Sequence, residues 1–287
     1  MADQSPTVYR RLLATQLRRL REEAGIKPDE VAERLECHKA KVSRMEAGKV
    51  GITPRDAREM LDLYGVTDTE RGRLLEIAKH SRQRSTWHRY WKTVSPNFYN
   101  YLGLESSASS IKVFENNYVN GLLQIEPYTR ALIDGINPDT AESDREKIVT
   151  LRQKRAKMLT REDDPPDLVV VADEAVISRV VGGAAIMASQ IHHLIHMSDL
   201  PNVSIRIVPR SVGAYPGMEG SFFVLEFPEN EDLDVVFTEG IAGAFFLERP
   251  EIVRIYKKRF DAIVQRSLSP EASRKLLTTT AKEFNRQ

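Results

Sequence analysis

The sequence predicts an α+β protein: an all-α N-terminal domain built on a helix-turn-helix, followed by a mixed α/β domain with a mostly antiparallel sheet. Three observations lead there. Over residues 7–80 apolar residues recur at three- and four-residue intervals. From residue 168 onward, short apolar or alternating runs separated by polar turns read as strands. The chain then closes on two amphipathic segments, Pro250–Arg266 and Pro270–Asn285, each with proline at a favourable helix start.

At 287 residues, 41% hydrophobic and 29% charged, the chain has room for two buried cores. A formal net charge of +1 excludes a generic polycation, so nucleic-acid contact has to come from local patches. Cys37 is the only cysteine, which rules out an intramolecular disulfide and suits a reducing cytoplasm. The opening MADQSPTVYRR lacks an apolar signal core, and no apolar run approaches membrane-spanning length, so a cytoplasmic location with no membrane partner is expected.

Residues 7–24 place Leu13, Leu17, Leu20 and Ala24 on one helical face. Residues 27–48, KPDEVAERLECHKAKVSRMEAG, read as two short helices meeting at a tight turn. Val31, Ala32 and Leu35 line one face of the first. In the second, Val42 and Met45 face the same core and leave His38, Lys39, Lys41 and Arg44 pointing outward. A pair this short needs partner helices. Residues 7–24 supply one, and Pro54–Tyr64 and Asp68–His80 supply others. Helices grouped in this way around a helix-turn-helix make a small DNA-binding domain, assigned to residues 1–80.

Between Glu76 and Glu105 there is no acidic residue, while Lys79, Arg82, Arg84, Arg89 and Lys92 alternate with aromatics. Residues 81–103 are read as a linker anchored by those aromatics and interrupted at Pro96, with Arg82 and Arg84 available to phosphate. A second domain, residues 104–287, carries dimerisation and regulation. Within it Glu105–Glu115 reads as helical, Glu126–Gly135 as a helix, and Asp144–Arg161 as a long helix. Leu168–Ala172 is an apolar strand, Ala184–Ser198 a helix and Val203–Val208 an alternating strand. Ser221–Phe227 and Asp234–Thr238 form strands around the acidic turn at 228–234, and Phe245–Glu248 is a short one.

The segment LRRLREEAGIKPDEVAERLECHKAKVSRMEAG resembles the repressor-type helix-turn-helix, the xenobiotic-response-element class that includes the lambdoid phage repressors. The resemblance implies that Lys39, Ala40, Lys41, Ser43 and Arg44 read bases in the major groove. Arg44 has the geometry to fork onto guanine, and Ala40 to meet a thymine methyl. It also implies an ion pair of Arg21 with Glu46 and phosphate contacts from Lys27, His38 and Lys49. Two positions depart from the pattern. Lys27 and Pro28 stand where a capping residue and a phosphate-binding Gln are usual, and a lysine cannot cap an amide. Glu36 stands where the turn usually has Gly, and a left-handed backbone there costs roughly 1 kcal/mol.

The second half, through FENNYVNGLLQIEPYTRALI, VVVADEAVISRVVGG and LPNVSIRIVPRSVGAYPGMEGSFFVLEF, resembles the C-terminal domain of WhiJ-like, antitoxin-like actinobacterial regulators. That resemblance implies a sequence-specific regulator, expected as a repressor, working with a small acidic partner protein encoded nearby. A helix-turn-helix of this kind reads an inverted-repeat operator as a homodimer, with half-sites about 34 Å apart. A repressor that senses a small metabolite in the second domain is the alternative.

No enzyme, metal or cofactor is expected. His192 and His196 form an i, i+4 pair with His193 between them, but they fall on a polar helix face and read as solvated. Asp173 follows a strand and is placed to cap the next helix rather than to act with Glu174 in a hydrolase or nuclease. The loop GAYPGMEG lacks the context of a phosphate loop, though Tyr215 and Met218 could line a partner or ligand groove. Cys37 reads as a small apolar filler.

Overall fold

The N-terminal periodicity gives α1 (Pro6–Glu23), α2 (Pro28–Arg34), α3 (Lys39–Glu46), α4 (Pro54–Leu63) and α5 (Asp68–His80) in a computed structural model that describes residues 5–227, 233–241 and 243–286. The chain divides into two compact units, Met1–Arg89 with Tyr99–Ser107, and Tyr90–Phe98 with Ala108–Gln287.

In the first unit Val8, Leu13 and Leu17 of α1, Val31 of α2, Val42 and Met45 of α3, Met60 and Leu61 of α4, and Leu74 and Ile77 of α5 are all fully buried. Prolines begin α1, α2 and α4, where a missing N–H costs nothing. Ser5 and Thr53 cap α1 and α4 by accepting from Val8 and Asp56 N–H. A further helix, α6 (Pro96–Glu105), begins at the proline expected to interrupt the chain, because proline's fixed φ suits a first helical turn. Its last residues join α1: Ser5 N–H donates to Ser107 Oγ at 2.7 Å, and the Ser5 hydroxyl donates to the Gly103 carbonyl. A Cβ at Gly103 would lie 2.4 Å from Thr7 Oγ1, so only glycine permits this approach.

Residues 81–103 thus contain a 3₁₀ turn, His88–Tyr90, and most of α6 rather than a plain linker. They are divided between the two units. Their aromatics explain this, since Tyr90 and Tyr101 are almost fully buried and Tyr101 donates to Glu105 at 2.7 Å.

The second unit is a sheet in the order β3-β2-β1-β4-β5-β6, from β1 (Ser110–Glu115), β2 (Asp167–Asp173), β3 (Val203–Val208), β4 (Phe222–Glu226), β5 (Val235–Gly240) and β6 (Gly243–Leu247). β1, β2 and β3 are parallel, and β1–β4, β4–β5 and β5–β6 are antiparallel. The central position of β1 corrects the helical reading of Glu105–Glu115. Ile111, Val113 and Phe114 are buried between two partner strands more than 50 residues away, and pairing at that distance leaves little trace in a local window. α8 (Glu142–Ala156) also stops short of Arg161, ending in a 3₁₀ turn at Lys157–Thr160. Of the acidic turn expected at 228–234, residues 228–232 lie outside the described residues.

One sheet face carries Phe222, Val224 and Val236, and α11 (Pro250–Arg266) covers it with Val253, Phe260 and Ile263. The pleat sends Phe223, Phe237 and Phe246 to the other face, where they form a cross-strand ladder with ring centroids 5.9 and 5.2 Å apart. Phe98 adds to that ladder at 6.4 Å from Phe237. The outer edge of β3 is not left open: Ile207 N–H donates to Ser273 Oγ at 2.9 Å, and Leu268 N–H donates to Ile207 O at 2.8 Å. Ser273 belongs to α12 (Pro270–Phe284), which packs on α10 (Ala184–Met197). The short α9 (Glu174–Ser178) and α7 (Glu126–Ile136) complete the helices named here.

Arg21 at the end of α1 and Glu46 at the end of α3 are brought together as a bidentate pair, Nε–Oε1 2.7 Å and Nη2–Oε2 3.0 Å, with side chains only 9% and 7% exposed. Arg21 Nη1 also donates to Ile26 O at 2.9 Å. The hydrogen bond to Glu46 raises the guanidinium's pKa above its ordinary value, against its burial. Tyr64 lies in the same field, and burial, helped by Glu46, pushes its phenol well above the usual range. Arg21→Met leaves a buried, unpaired carboxylate and is expected to cost about 3–5 kcal/mol in urea unfolding. Replacing both partners, Arg21→Met with Glu46→Leu, should lose clearly less; equal losses in the two proteins would contradict this account.

Candidate nucleic-acid interface

The two motif helices are joined by a turn whose hydrogen bonds explain the departures noted in the sequence. Cys37 N–H donates to Ala32 O at 2.9 Å and Glu36 N–H to Glu33 O at 3.1 Å, the pattern of a Schellman ending. Glu36 takes the left-handed position of that ending, with φ of 49° where glycine would be unstrained. At the start of α2, the Lys27 ammonium has no lone pair with which to cap. Glu30 Oε1 instead accepts the Lys27 backbone N–H at 2.9 Å, one half of a capping box. α3 ends in the same way as α2, with Lys49 N–H donating to Arg44 O at 2.9 Å and Gly48 at φ 65°.

Val42 and Met45 are buried, and this fixes which side of α3 faces outward. Lys39, Ala40, Ser43 and Arg44 are exposed, and Lys41 is half-buried. His38, at the cap position of α3, and Lys27 and Lys49 flanking the motif are exposed as well. Arg44 Nε donates to Ala40 O at 3.3 Å, and no ion pair of Arg44 is present among the described residues. The two lysines are held differently. Lys39 Nζ is 2.8 Å from Asp29 Oδ2 and Lys41 Nζ 3.9 Å from Asp56 Oδ2. These acidic partners were not legible in the sequence, because each sits on another helix at a distance no local spacing encodes.

Arg82 and Arg84 are exposed just after α5. His80, the last residue of that helix, stacks on Tyr9 of α1 with ring centroids 5.0 Å apart, which sets the chain there at the N-terminal end of α1.

The other residues singled out in the sequence are placed as follows. Asp173 Oδ1 accepts Ala175 N–H at 2.8 Å as the cap of α9, while Oδ2 accepts the Tyr215 hydroxyl. Glu174 pairs with Arg210 and accepts its backbone N–H at 2.8 Å. Tyr215 is partly buried, edge-on to Phe114 at 6.0 Å, and Met218 is 63% exposed. His192 and His196 are exposed, and burial together with His196 lowers the pKa of His193. Among the described residues no group of three His, Cys, Asp or Glu is placed to hold a metal ion. Cys37 is partly buried at the motif turn.

Sequence reasoning also missed a polar interior at the end of β1. Glu115 is fully buried, and burial pushes its carboxyl up to about 8 against the hydrogen bonds from Ser221 and Asn120. Arg152 lies near, bonded to Gln124 Oε1, and burial lowers its pKa with a further push from Arg155. Arg155 is itself buried, with its guanidinium 5.2 Å from the centre of the Phe98 ring.

Comparison with known proteins agrees with the geometry of the first unit: residues 12–74 match a helix-turn-helix domain, which supports a DNA-binding transcriptional regulator with a repressor-type head. No helix among the described residues is long and apolar enough to cross a membrane. No curated protein and no solved structure matches the chain. Residues 98–279, well over half of the sequence, match a family described as a domain of unknown function (DUF5753), and the chain belongs to that family.

Proposed function

We propose that the protein is a sequence-specific, non-enzymatic repressor in which α3 enters the major groove and reads base edges through Lys39, Ala40, Lys41, Ser43 and Arg44. The observation that carries the reading is the division of α3. Val42 and Met45 are buried, while Lys39, Ala40, Ser43 and Arg44 are exposed and Lys41 is half-buried, on a helix whose C-terminal end is fixed by its backbone hydrogen bonds. Lys27, His38, Lys49, Arg82 and Arg84 would contact phosphates and set the register. One such helix touches few base pairs, so a homodimer on an inverted repeat follows, with half-sites about 34 Å apart. The engagement of Asp173 as a helix cap and of Glu174 as an ion-pair partner supports a non-catalytic second unit.

In this reading the signal is a small acidic protein docking on the second unit of a cytoplasmic regulator and changing dimer geometry. Affinity capture that recovers no specific partner but a tightly bound metabolite would overturn it.

A second reading, a metabolite-sensing repressor, is favoured by the polar interior around Glu115 and Arg152. A guanidinium held away from water, such as that of Arg152, is where an anionic ligand gains most. A metabolite extract that raises the melting temperature of the second unit's transition would support this reading over partner docking.

Two outcomes test the chemistry directly. Arg44→Ala is expected to weaken binding to the selected sequence by about 1–3 kcal/mol and to relax discrimination at one base step, as read by footprinting and competition. Equal loss on selected and random DNA would remove Arg44 from the base readers. Glu115 has a folded pKa raised above the unfolded value of 4.5, so between those values the folded state keeps a proton that the unfolded chain has lost. Stability should therefore be full below about 4.5 and fall progressively until the carboxyl ionises near 8. Glu115→Gln should flatten that slope in melts across this range.

A further inference from the structure

Resting on the DNA-binding reading, the geometry of α3 assigns a further role to two residues that do not belong to it: we propose that Asp29 and Asp56 set sequence discrimination by holding Lys39 and Lys41 in ion pairs that unselective DNA contact has to break. Lys39 and Lys41 stand within one and a half turns of Arg44 on the face presented to DNA. A free lysine on such a face binds any phosphate it can reach, which strengthens binding to all sequences alike. Here neither lysine is free. The Lys39 ammonium lies 2.8 Å from Asp29 and the Lys41 ammonium 3.9 Å from Asp56, while Arg44 has no such partner among the described residues.

The two aspartates come from different helices, Asp29 from the first turn of α2 and Asp56 from the first turn of α4, yet both converge on α3. Acidic residues are favourable at helix starts, and this accounts for their presence in those turns. It does not account for their aiming at the lysines of the recognition helix. The Asp29–Lys39 pair is well exposed, at 62% and 58% of the side chains, so it is weak enough to be exchanged when a better partner is offered. Random DNA offers a phosphate in exchange for the carboxylate and gains little. A correct site offers a guanine acceptor edge to the released lysine. Asp29 and Asp56 are thus positioning residues, acting through the lysines. They also keep the DNA-facing surface of a nearly neutral chain from acting as a general polycation patch.

The test uses the full chain with two DNA probes: a pool of random-sequence duplex, and a duplex enriched from that pool by repeated selection with the wild type. Asp29→Asn and Asp56→Asn should tighten binding to the random pool by about two- to fivefold each. They should leave the selected duplex unchanged or weakened, so that discrimination falls. The dependence of log affinity on log salt for the random pool should steepen by about one for each lysine released. In a Lys39→Met background the Asp29→Asn gain should vanish, which separates action through the lysine from simple removal of a repelling charge. Equal melting temperatures exclude a folding effect, and if Asp56→Asn is destabilised the Asp29–Lys39 cycle carries the test alone. Unchanged affinity and slope, equal tightening on both probes, or a gain that persists without Lys39 would each overturn the proposal while leaving DNA reading intact, provided Arg44→Ala still relaxes discrimination at one base step. A wild type that binds neither probe would remove the DNA-binding reading and this proposal together.

Discussion

A recognition helix of eight residues cannot hold itself in place, and the Arg21–Glu46 pair is the constraint on which the first unit depends. It joins the end of the longest helix in that unit to the end of α3, at a point where both side chains are almost wholly out of water. Buried ion pairs add little stability compared with apolar packing, but they admit only one geometry. That is what a base-reading helix needs, since a tilt of a few degrees moves the side-chain tips by more than a hydrogen bond tolerates. The Schellman endings of α2 and α3 add the same kind of constraint through the backbone.

The second unit is organised by β1. Because it pairs in parallel with β2 and antiparallel with β4, it sets which residues of every other strand face α11 and which face the phenylalanine ladder. A register slip of one residue would exchange the faces of Phe222 and Phe223 and break both layers. Around this rigid sheet the charged groups near Glu115 stand out: their burial raises the free energy of the charged forms, and the surrounding hydrogen bonds compensate only in part.

Most of the N-terminal fold and the outline of the candidate site were legible because they rest on short-range rules. Apolar periodicity placed α1 to α5, and the pattern of Val42 and Met45 alone showed which α3 residues face outward. Asp173 was readable as a cap because capping is a local bond. Three other features escaped. The segment SIKVFE looked helical beside its helical neighbours and became a strand only because β2 and β4 close on it. Pro96 looked like a break and proved a helix start, since the buried aromatics that follow it fold as α6. Tyr215 was read as lining a groove, and its contacts with Asp173 and Phe114, from strands far away in sequence, could not be read from its loop.

The sequence by itself determined the α+β class, the helix-turn-helix and the identity of the residues on its outer face, because each follows from spacing within a few turns of chain. The tertiary structure alone decided the order and direction of the strands, the sharing of residues 81–103 between the two units, and the partners of Lys39 and Lys41. The physical reason is the same for all three. Contacts between residues far apart in sequence are selected by the packing of whole elements against one another, and no single segment contains the information for that choice.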